Sequence, residues 1–403
     1  MVYKYGSSGN KIIDDFIRYT QINLVNENGK MEYVPYEQFI NIEFIAEGGF
    51  SKIYKATWID GLVINYSNKK YIRSQNYTVV LKKINDSKNI TSKELNELKI
   101  FYDYSSKNKD DYYIARYFKI TQDPNSQDIM IIMPYYDSGD LKRYITKDFF
   151  NINWSEKLWR LLGIAIGLDQ IHKLNIIHRD LHSGNIFTGK YDSMFIGDLG
   201  IKIFQGQKYT EASDIYSFGM IMWELMTGRR PFWDRNHDTE LIIDICDGLR
   251  PPIVTNAPEG YIELMKECWH LDPSKRPQIT DINNGIMILT NNERNIIYNS
   301  SKIIESTDIG PVPKSNPGAI YKSRSLSAMI NSAMSLRSSR NQSINLEKFK
   351  KRFEDDLIED SNDNGQSIKR ENCKNEDYLT KEFDLDIDTD FKHTFMHTVN
   401  ENS

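Results

Sequence analysis

The stretch HRDLHSGNIFTGKYDSMFIGDLG, His178 to Gly200, decides how the rest of the chain is read. It follows the apolar run LWRLLGIAIGLDQIH (158–172), which has the length and spacing of a buried helix. Within it, Asn185 stands five positions after Asp180, and Asp198 stands thirteen after Asn185. Two carboxylates and a carboxamide in this order suit phosphoryl transfer. One Asp can orient an attacking hydroxyl and accept its proton. The Asn and the second Asp supply hard oxygen ligands for Mg²⁺ on nucleotide phosphates. Either half alone would read as an ordinary polar loop. Their order and spacing together carry the inference.

Working outward, INIEFIAEGGFSKIYKATWI (40–59) predicts two strands joined by a glycine turn. YTVVLKKI (77–84) predicts a β-branched strand, SKELNELKIFYDY (92–104) has helical spacing, and DIMIIMPYYDSGD (128–140) predicts a buried strand running into a turn. From Leu141 to about residue 290 helical patterns dominate. Strands followed by helices predict an α+β molecule with a small sheet lobe and a larger helical lobe. Residues 1–38 read as a polar extension with one amphipathic piece, IDDFIRYTQINL (13–24). Residues 291–403 are rich in Ser, Asn, Pro and Arg and predict a mostly disordered tail. One amphipathic helix is expected within it at 345–358, with Leu346, Phe349, Phe353 and Leu357 on one side. The division is therefore 1–38, 39–136, 137–290 and 291–403.

A net charge of −5 gives no reason to expect nucleic-acid binding. Cys246, Cys268 and Cys373 are too scattered for a disulfide framework or a zinc site, which points to reduced thiols and a cytoplasmic setting. No apolar run reaches the length of a membrane span. The oligomeric state has no signature in the sequence.

Several ordered motifs across residues 40–285 resemble a protein kinase domain of the tyrosine-kinase-like group. TVVLKK resembles the V-A-I-K strand, which makes Lys82 the phosphate-pairing lysine. Glu97 in ELNELKI resembles its ion-pair partner, with Glu94 as the alternative. HRDLHSGN resembles the catalytic loop, with His178, Arg179 and Asp180 as its catalytic triplet. SDIYSFGMIMWELMTGRRPF resembles the helix that anchors that loop through Asp214, and CWHLDPSKRP resembles a late element ending in Arg276.

The resemblance implies a bilobal kinase fold with an antiparallel N-lobe sheet and a helical C-lobe. It implies ATP and Mg²⁺ as cofactors and a protein substrate or binding partner in a signalling role. Asn185 and Asp198 would be the metal ligands. Ile45, Gly48, Gly49, Phe50, Ser51, Ile53, Val80, Lys82, Met133, Pro134, Tyr136 and Phe187 would line the nucleotide site. Met133 holds the gatekeeper place. Pro134 lacks an N–H but keeps the carbonyl that adenine uses, and Phe187 would lie beneath the adenine ring.

The chain departs from the pattern in three places. In IAEGGFSKI, Ala46 and Ser51 stand where the first and third glycines belong, and a positive-φ alanine would be strained. His182, two positions after Asp180, matches neither the serine/threonine nor the tyrosine signature, so the accepting hydroxyl is open. Between DLG and Asp214 the family carries an activation loop and an A-P-E motif; here IFQGQKYTEASDIYSFG follows almost at once. Lys202 is joined to Ile203 where a whole segment is expected. Two residues, Ile201 and Lys202, span at most about 7 Å. The peptide-docking floor goes with that segment, and Arg276 loses the Glu that pairs with it in the family. The alternative to an active kinase is a pseudokinase acting as a scaffold or binding partner.

Overall fold

The computed structural model describes residues 6–23, 31–49, 51–67, 70–89, 113–189, 193–198, 209–295, 303–312, 316–321 and 328–339. Nine strands are β1 (Phe39–Glu47), β2 (Ser51–Trp58), β3 (Leu62–Ser67), β4 (Lys70–Ser74), β5 (Tyr77–Ile84), β6 (Lys119–Gln122), β7 (Ile129–Pro134), β8 (Ile186–Thr188) and β9 (Met194–Ile196). Among the described residues the helices are α1 (Lys11–Asn23), α2 (Leu141–Lys147), α3 (Trp154–Lys173), α4 (Glu211–Thr227), α5 (Thr239–Cys246), α6 (Tyr261–Cys268) and α7 (Ile279–Asn295), and residues 328–339 are helical as well.

The N-lobe is an antiparallel five-stranded sheet in the order β1-β2-β5-β7-β6. Its two faces follow from the period of two along each strand. Val79 and Leu81 of β5 pack with Met130 and Ile132 of β7 beneath Trp58 on one face. The alternate residues Val80 and Lys82 pair across the strands with Met133 and Ile131 on the other face, which looks toward the helical lobe. β7 is buried on both faces, so it reads as a continuous apolar run rather than an alternation. The β3–β4 hairpin is an addition that the sequence pattern did not announce. The helix expected at 92–104, with Glu94 and Glu97, lies outside the described residues, as does the one expected at 345–358.

The extension before β1 takes part in this lobe. Ile13, Phe16 and Ile17 recur at helical spacing on one side of α1 and are buried in the main core with Ile120, Ile129 and Ile131. Val34 donates its backbone N–H to the Ile120 carbonyl at 2.9 Å, and Gln21 reaches the Met31 carbonyl at 3.1 Å.

The C-lobe is built around α3, α4 and α7. α3 is capped by Asn153, whose side chain accepts the Glu156 N–H at 2.9 Å. Leu158, Leu161, Ile164, Ala165 and Leu168 form its apolar stripe, and Lys157, Arg160, Leu162, Gly163 and Gly167 are buried around the remaining sides. α4 ends at Gly228, whose φ of 73° is the left-handed cap conformation; a Cβ there would sit 2.8 Å from the Phe149 ring. The bilobal α+β architecture is the one the sequence resemblance implied.

Beyond α7, only short pieces of the tail, 303–312, 316–321 and the helical 328–339, are among the described residues. α7 runs to Asn295, and residues 303–312 and 316–321 lie on the C-lobe. Ile309 is only 4% exposed within the main core. Composition reports the average apolar content of a segment, and a few anchors such as Ile309 and Tyr321 suffice to order this part. Residues 340–403 lie outside the described residues. Among the described residues no helix is long and apolar enough to cross a membrane.

Candidate functional site

The loop carrying Asp180 leaves α3 and is fixed from behind by α4. Asp214 is 2% exposed. Its Oδ2 accepts the His178 N–H at 2.7 Å and lies 3.0 Å from His172 Nε2, while its Oδ1 accepts the Arg179 N–H at 3.0 Å. A buried carboxylate holding backbone donors of the loop sets the loop's path and stabilises the left-handed conformation of Arg179 (φ 67°).

His178 ties this loop to the strand pair β8–β9. It is fully buried, its Nε2 lies 3.0 Å from the Gly197 carbonyl and its Nδ1 accepts the Asp180 N–H at 3.3 Å. These partners assign the proton to Nε2, since a carbonyl only accepts. Burial pushes its pKa down, against the pull of Asp214, which favours this neutral form. Gly197 precedes Asp198, so one imidazole sets the spacing between Asp180 and Asp198. Gly197 in turn donates its N–H to the Asn185 carbonyl at 2.8 Å.

Asn185 donates its side-chain Nδ2 to the Asp180 carbonyl at 2.8 Å. That commits the nitrogen and leaves Oδ1 as the group able to ligate. Asp198, with φ 59°, forms a direct ion pair with Lys82 of β5. Lys82 is 8% exposed and is carried by the strand face described above. The donor set of one carboxamide oxygen and one carboxylate fits Mg²⁺, which takes one or two protein oxygens and keeps the rest for phosphates and water.

The rest of the expected nucleotide site is partly assembled. Val80 and Met133 are direct cross-strand partners, and Pro134 pairs with Val79 at the end of β7. Tyr136 and Phe187 stack face to face, centroids 5.2 Å apart at 2°. Phe195 adds a tilted contact to Tyr136 at 5.2 Å. The Phe187 ring expected under adenine is thus already paired with the hinge tyrosine. At the glycine turn, Gly48 N–H donates to the Ser51 carbonyl at 2.8 Å, Ser51 opens β2 and Ile53 pairs with Ala46. Ala46 is not among the residues with positive φ. It continues β1, so the strain expected of an alanine there does not arise. Ile45 is exposed on β1, Gly49 is in a bend, and Phe50 lies outside the described residues.

The joint at Ile201–Ile203 also lies outside the described residues, but both its flanks are seen. Tyr209 returns beside Asp180 and Arg179, its phenol pKa raised by burial and then by the Asp180 charge. Arg276, expected to lose its carboxylate partner, has other acceptors. Its Nη1 donates to the Ala212 carbonyl at 2.9 Å and its Nε to the His270 carbonyl at 2.9 Å, with the Tyr216 ring 5.2 Å from the guanidinium. Backbone oxygens and a ring face have replaced the ion pair.

Two groups near the site were not found from sequence. Tyr209 is one. Glu224 of α4 is the other: its carboxyl is pushed up to about 7 by burial, with Ser183, Arg230 and Lys142 pulling the other way. No spacing marks either residue, because both depend on which side chains the fold brings alongside.

The family model described as "Protein tyrosine and serine/threonine kinase" matches residues 40–207 and 201–286. The match comes in two blocks that meet around Lys202–Ile203. Among curated relatives, an Acanthamoeba polyphaga mimivirus protein named as a serine/threonine-protein kinase/receptor (R831) is 31% identical over 185 residues, 40% of this chain and 11% of its own length. A Dictyostelium discoideum protein named as serine/threonine-protein kinase roco5 is 32% identical over 196 residues, 40% of this chain and 7% of its own. Ephrin type-A receptor 6 of Rattus norvegicus is 26% identical over 186 residues, 40% of this chain and 18% of its own. The chain therefore spans under a fifth of the length of each of these relatives.

Proposed function

Because this chain belongs to the protein tyrosine and serine/threonine kinase family, we propose that it binds Mg·ATP between its lobes and transfers the γ-phosphoryl group to a protein hydroxyl. The observation that carries the reading is the link from Asp214 through the His178 and Arg179 amides to Asp180, and through the His178 ring and Gly197 to Asp198. It places the two carboxylates on one buried frame, and catalysis of this kind is mostly positioning and charge stabilisation.

In this account Asp180 orients the substrate hydroxyl and takes its proton as the new P–O bond forms and the bond to the β-phosphate oxygen breaks. Lys82 pairs with the nucleotide phosphates, and Asn185 and Asp198 would hold Mg²⁺, which would neutralise charge on those phosphates. The Pro134 carbonyl and the Tyr136 N–H serve as adenine's hydrogen-bond partners, and Phe187 lies beneath the adenine ring. With the lobes taken as 39–136 and 137–290, the proposed site draws Lys82 from the first and Asp180, Asn185 and Asp198 from the second.

A second reading, a non-catalytic kinase fold that binds partners, draws support from the Lys82–Asp198 pair and from the missing activation segment. Thermal denaturation with millimolar Mg·ATP tests the nucleotide half of the phosphotransfer reading. A ligand that binds the folded state at 100 times its Kd stabilises by about 2.7 kcal/mol. The phosphotransfer reading expects a clear rise in Tm that Asp198→Asn largely removes. No shift in a cleanly folded sample contradicts it.

A further inference from the structure

Residues 303–312 and 316–321 form a strap along the face of the C-lobe between α4 and α5. The contacts are mostly to main chain, in the manner of an extended peptide on a receptor. The Gly310 N–H donates to the Thr227 carbonyl at 2.7 Å. Arg229 Nε donates to the Gly310 carbonyl at 3.1 Å, and its Nη2 reaches the carbonyls of Thr307 and Ile309. The Asn316 N–H donates to the Trp233 carbonyl at 2.9 Å and its side chain to the Asp234 carbonyl at 3.2 Å. The His237 N–H donates to the Gly318 carbonyl at 2.9 Å.

The strap has an anchor near each end. Ile309 is buried in the main core. Tyr321 donates its hydroxyl to the Pro231 carbonyl at 2.9 Å, has the Arg230 guanidinium 3.7 Å from its ring centroid and meets His237 edge-on at 4.7 Å. Arg230 also acts on the buried Glu224 carboxylate of α4, the helix whose Asp214 holds the loop that carries the candidate base. The Tyr321 end of the strap is therefore linked to that loop only through Arg230 and α4.

We propose that the face formed by residues 227–238 is a docking surface for an extended peptide, and that the chain's own 303–321 segment is its resident occupant, displaced when an outside peptide takes the surface. The partner is a peptide that offers successive carbonyls to Arg229, a glycine able to adopt positive φ and an aromatic residue to Arg230. Gly310 shows why glycine is needed: its φ is +88°, and a Cβ would lie 2.6 Å from the Phe150 ring. The occupant is fixed by observation, since it is this segment that makes the contacts. The link to the Asp180 loop gives the site meaning for phosphotransfer and rests on that proposal; the docking claim itself does not.

The test uses the full chain, amide hydrogen exchange and a synthetic peptide of residues 303–321, with no nucleotide present. In the unaltered chain the amides of Gly310, Asn316 and His237 should be protected, and added peptide should bind weakly because its place is taken. The double variant Gly310→Ala/Tyr321→Ala loosens the strap from its own side. It should lose protection at Asn316 and His237, keep protection in α3, and bind the added peptide at least tenfold more tightly. Adding Arg229→Ala on the receiving side should weaken that binding at least tenfold. Equal exchange at His237 in the unaltered chain and the double variant would overturn the proposal. So would a double variant that loses strap protection yet binds the peptide no better. Should the double variant lose protection in α3, Tyr321→Ala alone carries the same expectations and the same refutations. Failure here would leave the nucleotide experiment unaffected.

Discussion

Asp214 shows how much a single buried carboxylate can organise. Its oxygens serve the backbone N–H groups of His178 and Arg179 and the His172 ring at once. Asp214→Ala removes the acceptors and leaves two backbone donors facing an apolar gap. The expected cost is roughly 3 kcal/mol, read by chemical denaturation, with faster amide exchange at His178 and Arg179. A change within about 0.5 kcal/mol, typical of an indifferent surface site, would show that the loop is held by something else. Arg276 gives a second case. Arg276→Lys keeps the charge but cannot span the Ala212 and His270 carbonyls together, so a loss of about 1 kcal/mol is expected. An unchanged denaturation midpoint would mean that these two contacts do not contribute. At this scale Asp180, Asn185, Asp198 and Lys82 were legible because their chemistry demands particular residue types at fixed spacing. Tyr209 and Glu224 were not, since burial alone makes them notable and burial is a tertiary fact. Ala46 was misjudged because a missing glycine was read as strain, whereas the strand simply continues through it.

Two elements of the C-lobe carry buried ionisable groups with opposite pH signatures. Lys157 of α3 is 2% exposed with the Phe149 ring 3.9 Å from its Nζ, and burial lowers its pKa to about 7. Unfolded, it titrates at about 10.4. Between these values the unfolded chain holds more protons, so stability rises as pH rises from about 7 towards 10. Glu224 of α4 has its pKa raised to about 7 by burial, against about 4.3 unfolded. There the folded state holds more protons, so stability falls as pH rises from about 4.3 to 7. The two slopes, each at most about 1.4 kcal/mol per pH unit, place a minimum in stability near neutrality. Denaturation across a pH series should show Glu224→Gln removing the fall on the acid side and Lys157→Met removing the rise on the alkaline side. A single maximum near neutrality that neither variant alters would contradict this. The elements themselves were readable where one period dominates. β5 matches YTVVLKKI end to end, and α3 contains the apolar run that announced it. The β3–β4 hairpin and the strap were not, because neither carries a strong apolar period; β3 and β4 pair with each other, while the strap is ordered by partners distant in sequence.

At the scale of the molecule, a sheet lobe and a helical lobe meet at the Lys82–Asp198 pair. The groups proposed to hold nucleotide come from both sides and all precede the joint at Lys202–Ile203. The platform that would set a peptide hydroxyl against Asp180 belongs to the segment that the joint replaces. Well-placed reactants can gain roughly 7–11 kcal/mol from positioning, so the proposed reading expects loss of the platform to lower rate and leave nucleotide affinity in place. The proposed docking face at residues 227–238 is a different peptide surface, now covered by the strap. The two-block family match was foreshadowed by the sequence, because motifs in register on both sides of a gap show in the order of residues alone.

The central claim is that the nucleotide half of the site is intact and the peptide half is impaired at Lys202–Ile203. Inserting a full activation segment ending in A-P-E at that joint, and comparing both proteins by single-turnover transfer from radiolabelled ATP to a generic peptide, tests it most directly. The account predicts a gain in peptide turnover of at least about a hundredfold, corresponding to about 2.7 kcal/mol, with nucleotide affinity changed little. Equal turnover by the two proteins would contradict it.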